Sequence, residues 1–271
     1  MMDISILQIK QLRAQTGSGF MECKKALQKA NGNIENAVDY LRTLGICIAD
    51  RNISHHANCG RIFLYQDKNL GVLLELNSET DFVANNDEFK IFGQKIVDYI
   101  GTKKLFNLQD IRDFFNSQNI ALIAKVRENI IIRRIKYLIG SVTNSYLHLG
   151  KIGVVVTGKI LSDMNDYKYQ CFKHVAMHIA SSRPLFLFEK DIPQDILDRE
   201  TQVQQSIANK TGKNSYVLKS IVNGRLKKFI NNITLVHQKF IMDPKITVGD
   251  FLNKNSISIQ DFIYFKVGES L

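Results

Sequence analysis

Four consecutive residues, Thr80-Asp81-Phe82-Val83, set a hydroxyl, a carboxylate and an aromatic ring side by side just after an apolar run at 70–76 and the polar turn Asn77-Ser78-Glu79. A connection that offers a bulky apolar group beside a charge must desolvate both when either is buried. The pattern therefore fits an element that inserts into a partner surface. The alternative is that Phe82 folds back onto its own core, as most aromatics do. His174-Val175-Ala176-Met177-His178 puts two imidazoles one helical turn apart, a spacing that can bind zinc, but Val175 stands where a metalloprotease carries its glutamate. Packed or hydrogen-bonded histidines are the structural alternative there. His55-His56 with Cys59 lacks an evident third or fourth ligand. Gly17-Ser18-Gly19 precedes a helix but has neither the preceding strand nor the Lys-Ser/Thr of a phosphate-binding loop, and a tight interhelical turn accounts for it. No nucleophile elbow, kinase motif set or paired-carboxylate arrangement is present. The expectation is a protein that is not an enzyme and has no metal and no cofactor.

The elements that would position these groups follow from periodicity. Residues 1–45 read as a three-helix docking module. Ser5 and Gln8 form a capping box ahead of Ile6, Ile9 and Leu12; Glu22 opens a second helix with Ala26, Leu27 and Ala30 on its apolar stripe; Ile34, Ala37, Val38, Leu41 and Leu44 mark a third, closed by Gly45. Residues 46–58 lose periodicity and read as a linker. A first core part at 59–140 opens with a hairpin at 61–65 and 70–76, turned at Asp67-Lys68-Asn69. A helix follows, capped by Asn85, with Phe89, Phe92, Ile96 and Tyr99 on one face. Stretches 108–115 and 120–128 read as helices, and Ile130-Ile131-Ile132-Arg133-Arg134-Ile135 as a strand.

The second part, 141–271, repeats the pattern: strands at 145–148 and 152–156 around Gly150-Lys151, then a helix with Phe172, Val175 and Ile179. It carries Leu161-Ser162-Asp163-Met164 where the first part has Thr-Asp-Phe-Val, so that motif is not required to build the unit. Within this part, about 194–230 forms a helical hairpin turned at Thr211-Gly212-Lys213, with Val203, Ile207, Val217, Leu218 and Ile221 as its seam. A short helix at 248–253 and a strand at 259–267 return to the core. The fold class is α+β, with a three-helix module and a two-part core of repeated antiparallel sheet-plus-helix units.

At 271 residues and 45% hydrophobic, the chain is long enough for real cores. No apolar stretch reaches membrane-spanning length, and the start, Met1-Met2-Asp3-Ile4-Ser5, lacks the features of a secretory or transit segment, so a cytoplasmic protein with no membrane partner is expected. The scattered cysteines, Cys23, Cys47, Cys59 and Cys171, contain no CxxC pair and fit reduced thiols. A formal net charge of +10 implies attraction to nucleic acid or to an acidic protein surface, or simply a solvated Lys-rich exterior. The basic runs Arg133-Arg134-Ile135-Lys136 and Arg225-Leu226-Lys227-Lys228 lack the interleaved aromatics of RNA-binding signatures.

Seven matches in chain order resemble the elongation factor Ts family. They are Leu12-Arg13 with Thr16-Gly17-Ser18-Gly19-Phe20-Met21-Glu22-Cys23-Lys24-Lys25-Ala26-Leu27, Asn31-Gly32-Asn33, Thr80-Asp81-Phe82-Val83, Glu128-Asn129-Ile130 with Arg133-Arg134, Tyr146 with His148 and Lys151-Ile152-Gly153, His174-Val175-Ala176-Met177-His178, and Gly224-Arg225-Leu226-Lys227-Lys228-Phe229. The resemblance implies a guanine-nucleotide exchange factor whose partner is elongation factor Tu carrying GDP and magnesium. It also implies a ubiquitin-associated-like N-terminal module, a two-part α+β core and a protruding helical hairpin. Thr80, Asp81, Phe82 and Val83 would displace the partner's magnesium, and Arg13, Phe20, Met21 and His148 would bind the partner. Phe20 stands where the family often has methionine, a change that keeps apolar bulk. No direct nucleic-acid contact is implied. A basic RNA-binding module is the alternative function, and a His-based metallohydrolase a third.

Overall fold

The computed structural model describes residues 4–16, 18–52, 57–163, 165–209 and 215–269, a mixed α+β chain. Gly17, His55-His56, Met164 and the turn Thr211-Gly212-Lys213 lie outside the described residues. In order, the elements are α1 (Ile6–Thr16), α2 (Phe20–Lys29), α3 (Ile34–Asn52), β1 (Cys59–Gln66), β2 (Leu70–Ser78), α4 (Asp81–Asn85), α5 (Asp87–Lys103), α6 (Leu108–Val126), β3 (Ile131–Ile139), β4 (Val142–His148), β5 (Ile152–Ile160), α7 (Asp166–Ser182), α8 (Gln194–Asn209), α9 (Ser215–Ile233), β6 (Lys239–Phe240), β7 (Asp243–Thr247), α10 (Val248–Lys254) and β8 (Ile257–Lys266). The chain divides into two compact units, the first drawn from Met1–Tyr65, Leu73–Lys136 and Phe265–Leu271, the second from Gln66–Val72 and Tyr137–Tyr264.

In the first unit, Ile9, Leu12, Cys23, Ala26, Leu27, Ala37 and Leu41 form the core of α1, α2 and α3. Of the expected box one half is present, the Ser5 N–H donating to Gln8 Oε1 at 3.2 Å; Ser5 Oγ accepts from the Leu7 N–H, also at 3.2 Å, rather than from that of Gln8. Ile6, expected on the apolar stripe, is exposed. Helix α3 does not stop at Gly45 but continues to Asn52, so the first half of the expected 46–58 linker is helical. A single glycine without a following proline does not end a helix that can keep its backbone ladder.

Strands β1, β2 and β3 form one sheet in that order, with α5 carrying Phe89, Phe92 and Ile96 inward as expected. Two glycines of α5, one in mid-helix and one in its last turn, admit the sheet's aromatics: a Cβ on Gly93 would lie 2.2 Å from the Phe63 ring, and one on Gly101 would lie 2.1 Å from Tyr65. The cap of α5 is Asn86, not Asn85, because Asn85 is already tied by its side-chain amide to the Asp81 carbonyl. Residues 108–126 make one helix where two were expected; Asn116, Ser117 and Gln118 only pass along its solvent face, and no Gly or Pro interrupts it.

Every residue of β2 is buried, including Glu75. Its carboxylate accepts from Arg133 Nη1 at 2.8 Å, Arg134 Nε at 2.6 Å and the Gly268 N–H at 2.9 Å, and the Arg134 guanidinium lies 4.1 Å from the centre of the Phe265 ring. One carboxylate thus joins a central strand, β3 and the last residues of the chain.

In the second unit, β4 pairs antiparallel with β5 from Val142↔Gly158 to His148↔Ile152, and β8 joins the other side of β5. Phe172, Val175 and Ile179 of α7 lie in its core with Val154, Val156, Phe240 and Phe251. The α8–α9 hairpin buries Ala208 and Val222; Val203 and Ile207 are exposed, and the side chain of Val217 is outside the described set. Of the expected seam, Leu218 and Ile221 of α9 are half-buried, so the departure lies on α8, and Arg225 donates to Gln204 Oε1 at 3.4 Å.

Of the spaced imidazoles, His178 is fully buried, and both its nitrogens are engaged: Nδ1 accepts from the Ile241 N–H at 3.2 Å, so Nε2 carries the proton and donates to Gln238 Oε1 at 2.9 Å. This is the packed, hydrogen-bonded alternative, and it uses the lone pair a metal would need. Burial pushes the His178 pKa down, only partly offset by the Gln238 hydrogen bond. Burial likewise pushes the Cys23 and Cys171 thiols up, away from the reactive thiolate.

Two outcomes follow. Glu75→Gln leaves two guanidinium groups without their shared anion and lowers stability by about 3–5 kcal/mol in urea unfolding. For His178 the folded form binds a proton less readily than the unfolded one, so its contribution is complete above a pH of about 6.5 and declines as pH falls below that toward the depressed folded pKa. The melting temperature of the unmodified chain therefore drops more between pH 7 and pH 5.5 than that of His178→Gln, although the variant starts lower.

Candidate functional site

Strand β2 ends at Ser78, and two residues later the chain enters α4, a helical turn of 5 residues. A helix this short has no stability of its own. It is held by side chains at both ends. Thr80 is its N-cap, accepting from the Val83 N–H at 3.4 Å. The same residue donates its N–H to Glu128 Oε2 at 2.9 Å and its hydroxyl to Glu128 Oε1 at 2.6 Å, while Ser78 Oγ donates to the Thr80 carbonyl at 2.9 Å. At the far end Asn85 Nδ2 donates to the Asp81 carbonyl at 2.9 Å, and Arg61 Nη1 donates to Asn85 Oδ1 at 2.8 Å.

The turn buries Ala84 completely and turns its other side outward: Asp81 is exposed and Phe82 is 90% exposed. The core reading of Phe82 is thereby excluded. An aromatic ring displayed in water on a turn anchored at both ends is an arrangement for contact with another surface.

Arg13, Phe20 and Met21 also lie on the exterior of the first unit, with Phe20 43% and Met21 60% exposed at the start of α2. In the first turn of that helix Glu22 accepts from the Gly19 N–H and pairs with Arg127, the residue that ends α6 in a left-handed conformation at φ 62°. Arg127 and Glu128 are thus consecutive residues that contact, respectively, Glu22 in the first turn of the helix carrying Phe20 and Met21 and Thr80 at the cap of the turn carrying Phe82.

His148 belongs to the second unit, at the tip of the β4–β5 hairpin. It is exposed, and its Nδ1 shares a hydrogen bond of 3.1 Å with the Tyr146 hydroxyl from the same strand face. The tip is a two-residue turn closed by the Lys151 N–H on the His148 carbonyl at 2.9 Å, with φ 52° at Leu149 and 69° at Gly150. These are the angles of a mirror-image hairpin turn, and glycine takes its position freely. Leu149 does not: a branched side chain in that region costs on the order of 1–2 kcal/mol, and this one is 76% exposed. Sequence reasoning missed Leu149. The available signal was a leucine where a tight hairpin favours asparagine or aspartate.

The other residues missed are those that hold α4: Arg61, Glu79 and Glu128. Glu128 stands in a quoted match to the family, yet a lone glutamate after a helix carries no local sign of a target 48 residues earlier in sequence.

Among the described residues no helix is long and apolar enough to cross a membrane, and no group of three or more His, Cys, Asp or Glu residues is placed to hold a metal ion.

A family model described as elongation factor TS matches residues 79–269. A protein named elongation factor Ts from Buchnera aphidicola subsp. Cinara cedri (strain Cc) is 55% identical, the alignment covering 100% of this chain and 98% of that one. The protein of the same name from Buchnera aphidicola subsp. Acyrthosiphon pisum (strain 5A) is 42% identical over 96% of this chain and 95% of its own length, and that from Sodalis glossinidius (strain morsitans) is 41% identical over 100% and 94%. With most of its length matched by the family model and all of it aligned to such a relative, the chain belongs to the elongation factor Ts family.

Proposed function

We propose that this protein serves translation elongation as a guanine-nucleotide exchange factor, binding elongation factor Tu with GDP and magnesium and promoting GDP release so that GTP can enter. Membership of the family supports the exchange role. The observation that carries the mechanism is Phe82, 90% exposed beside Asp81 on a turn held at both ends.

In this reading α1, α2 and α3 are a ubiquitin-associated-like docking module, with Arg13, Phe20 and Met21 meeting the partner, and His148 meets it from the second unit. Thr80 to Val83 form the wedge. The Phe82 ring gains apolar burial only when the partner opens to receive it, and the Asp81 carboxylate competes electrostatically with the groups that hold the partner's magnesium. Binding is therefore stronger to the partner without nucleotide than with it, and that difference accelerates release. The chain makes and breaks no bond and needs no nucleotide site of its own. Its place of action is the cytoplasm.

Stopped-flow release of fluorescent GDP from magnesium-loaded elongation factor Tu tests this. The unmodified chain accelerates release. Burial of one Phe side chain corresponds to about ten- to a hundredfold in rate, so Phe82→Ala lowers the maximal release rate by about that factor while still forming the complex. No acceleration by the unmodified chain overturns the reading, and salt-sensitive retention on RNA in its place would favour the nucleic-acid alternative.

A further inference from the structure

The segments that meet beneath α4 hold each other reciprocally. The Glu128 carboxylate takes the N–H and hydroxyl of Thr80 at 2.9 and 2.6 Å, and the Glu79 carboxylate takes the N–H of Asn129 at 2.7 Å. Each glutamate therefore receives the backbone donor of the residue that follows the other glutamate. Both clasps are partly buried, and Asn129 is itself buried and lies between the end of α6 and β3. Hydrogen bonds to ionised acceptors are stronger and shorter than neutral ones, and two facing pairs fix a register that a single bond would let pivot.

We infer that Glu128, with Glu79 as its counterpart, is a positioning residue of the exchange reaction: it holds the Thr80 cap and so keeps Phe82 and Asp81 at a fixed angle to the rest of the first unit. This rests on the exchange-factor reading above. Glu128 itself touches no nucleotide. If α4 pivoted freely, Phe82 would still meet the partner, but the force of docking would be taken up by the turn instead of by the partner's magnesium site. A rigid wedge converts binding into release and a loose one only binds. A residue of this kind changes the maximal rate and leaves the half-saturating concentration nearly alone, whereas loss of folding or of docking surface moves the second quantity.

Glu128→Ala, Glu128→Gln and Thr80→Val are compared with the unmodified chain in GDP release at rising factor concentration, alongside hydrogen exchange of the Thr80 amide. Glu128→Ala lowers the maximal rate by about tenfold, the loss expected of a charge-assisted hydrogen bond, moves half-saturation by less than about twofold, and speeds exchange at Thr80. Thr80→Val, lacking the hydroxyl, falls in the same direction. Glu128→Gln recovers most of the rate, since its oxygen accepts from the Thr80 N–H and its amide donates to Thr80 Oγ1; Thr80→Val carries the test if Glu128→Ala fails to fold, and an unchanged maximal rate in it then overturns the inference. An unchanged maximal rate in Glu128→Ala overturns the inference, as does a loss in both Glu128 variants that tracks half-saturation. If the unmodified chain itself leaves release at its basal rate, the exchange reading fails, an outcome distinct from either.

Discussion

The first unit is organised around a charge it cannot expose. Glu75 sits in the middle of β2, a strand buried along its whole length, and a carboxylate in that position is tolerable only if cations and donors reach it inside the fold. Arg133, Arg134 and the Gly268 N–H do so, from a neighbouring strand and from a segment 193 residues away in sequence. Each partner must be at hydrogen-bonding distance at once, so β2 has one register against β3, and a slip of one residue would strand the charge. An all-apolar β2 would bury as much surface without naming its neighbours.

That fixed register sets where β2 ends, and Ser78, the last residue of the strand, begins the hold on Thr80. From there the structure must present an aromatic ring to water, an arrangement that its own hydrophobic effect opposes. Phe82 is kept outside because the inward side of its turn is taken by Ala84, and because the backbone that would have to bend is tied to Glu128 and to the Asn85 side chain, which Arg61 holds in turn. The polar groups around α4 prevent the collapse that would make Phe82 an ordinary core residue. The β4–β5 tip shows the same trade in smaller form, with Leu149 held exposed at a backbone angle that branched side chains avoid.

What the sequence made legible was whatever depends on periodicity. The apolar face of α5 at Phe89, Phe92 and Ile96 and the matching face of α7 at Phe172, Val175 and Ile179 could be read because burial of one face repeats along the chain, and the hairpin at β1 and β2 because two apolar runs flank the polar turn Asp67-Lys68-Asn69. Asp81 and Phe82 were legible as a pair for the opposite reason: they break the pattern. Boundaries set by side-chain competition were less legible. Asn85 and Asn86 are chemically identical candidates for a cap, and only the Asp81 carbonyl and Arg61 decide between them. The polar run Asn116-Ser117-Gln118 resembles a break in a helix until its exposure shows that it crosses the solvent side of α6. The seam of the helical hairpin was legible on α9, where Leu218 and Ile221 are half-buried, and not on α8, where Val203 and Ile207 face water and Ala208 is buried instead. The Glu79 and Glu128 clasps could not be read at all, since they depend on two loops meeting and neither loop has a periodic signal.

The exchange reading also limits what the wedge can do alone. A thousandfold acceleration requires about 4 kcal/mol of preference for the open partner, and burial of one Phe side chain supplies about 1.5–3 kcal/mol. The remainder has to come from contacts that grow as the partner opens, through Asp81, the docking helices or the second unit. Contacts that bind open and closed partner equally add nothing to that preference, however much surface they cover. Rigidity decides how docking affinity is used. In that reading, with α2 and α4 contacted by the adjacent residues Arg127 and Glu128, a partner seated on Phe20 and Met21 would meet Phe82 at a set position and would either open or lose part of the docking contact. Reciprocity then requires, in the same reading, that nucleotide bound to the closed partner weaken the docking contacts as well, so a geometry that favours loss of GDP would also favour departure of the factor once GTP is bound.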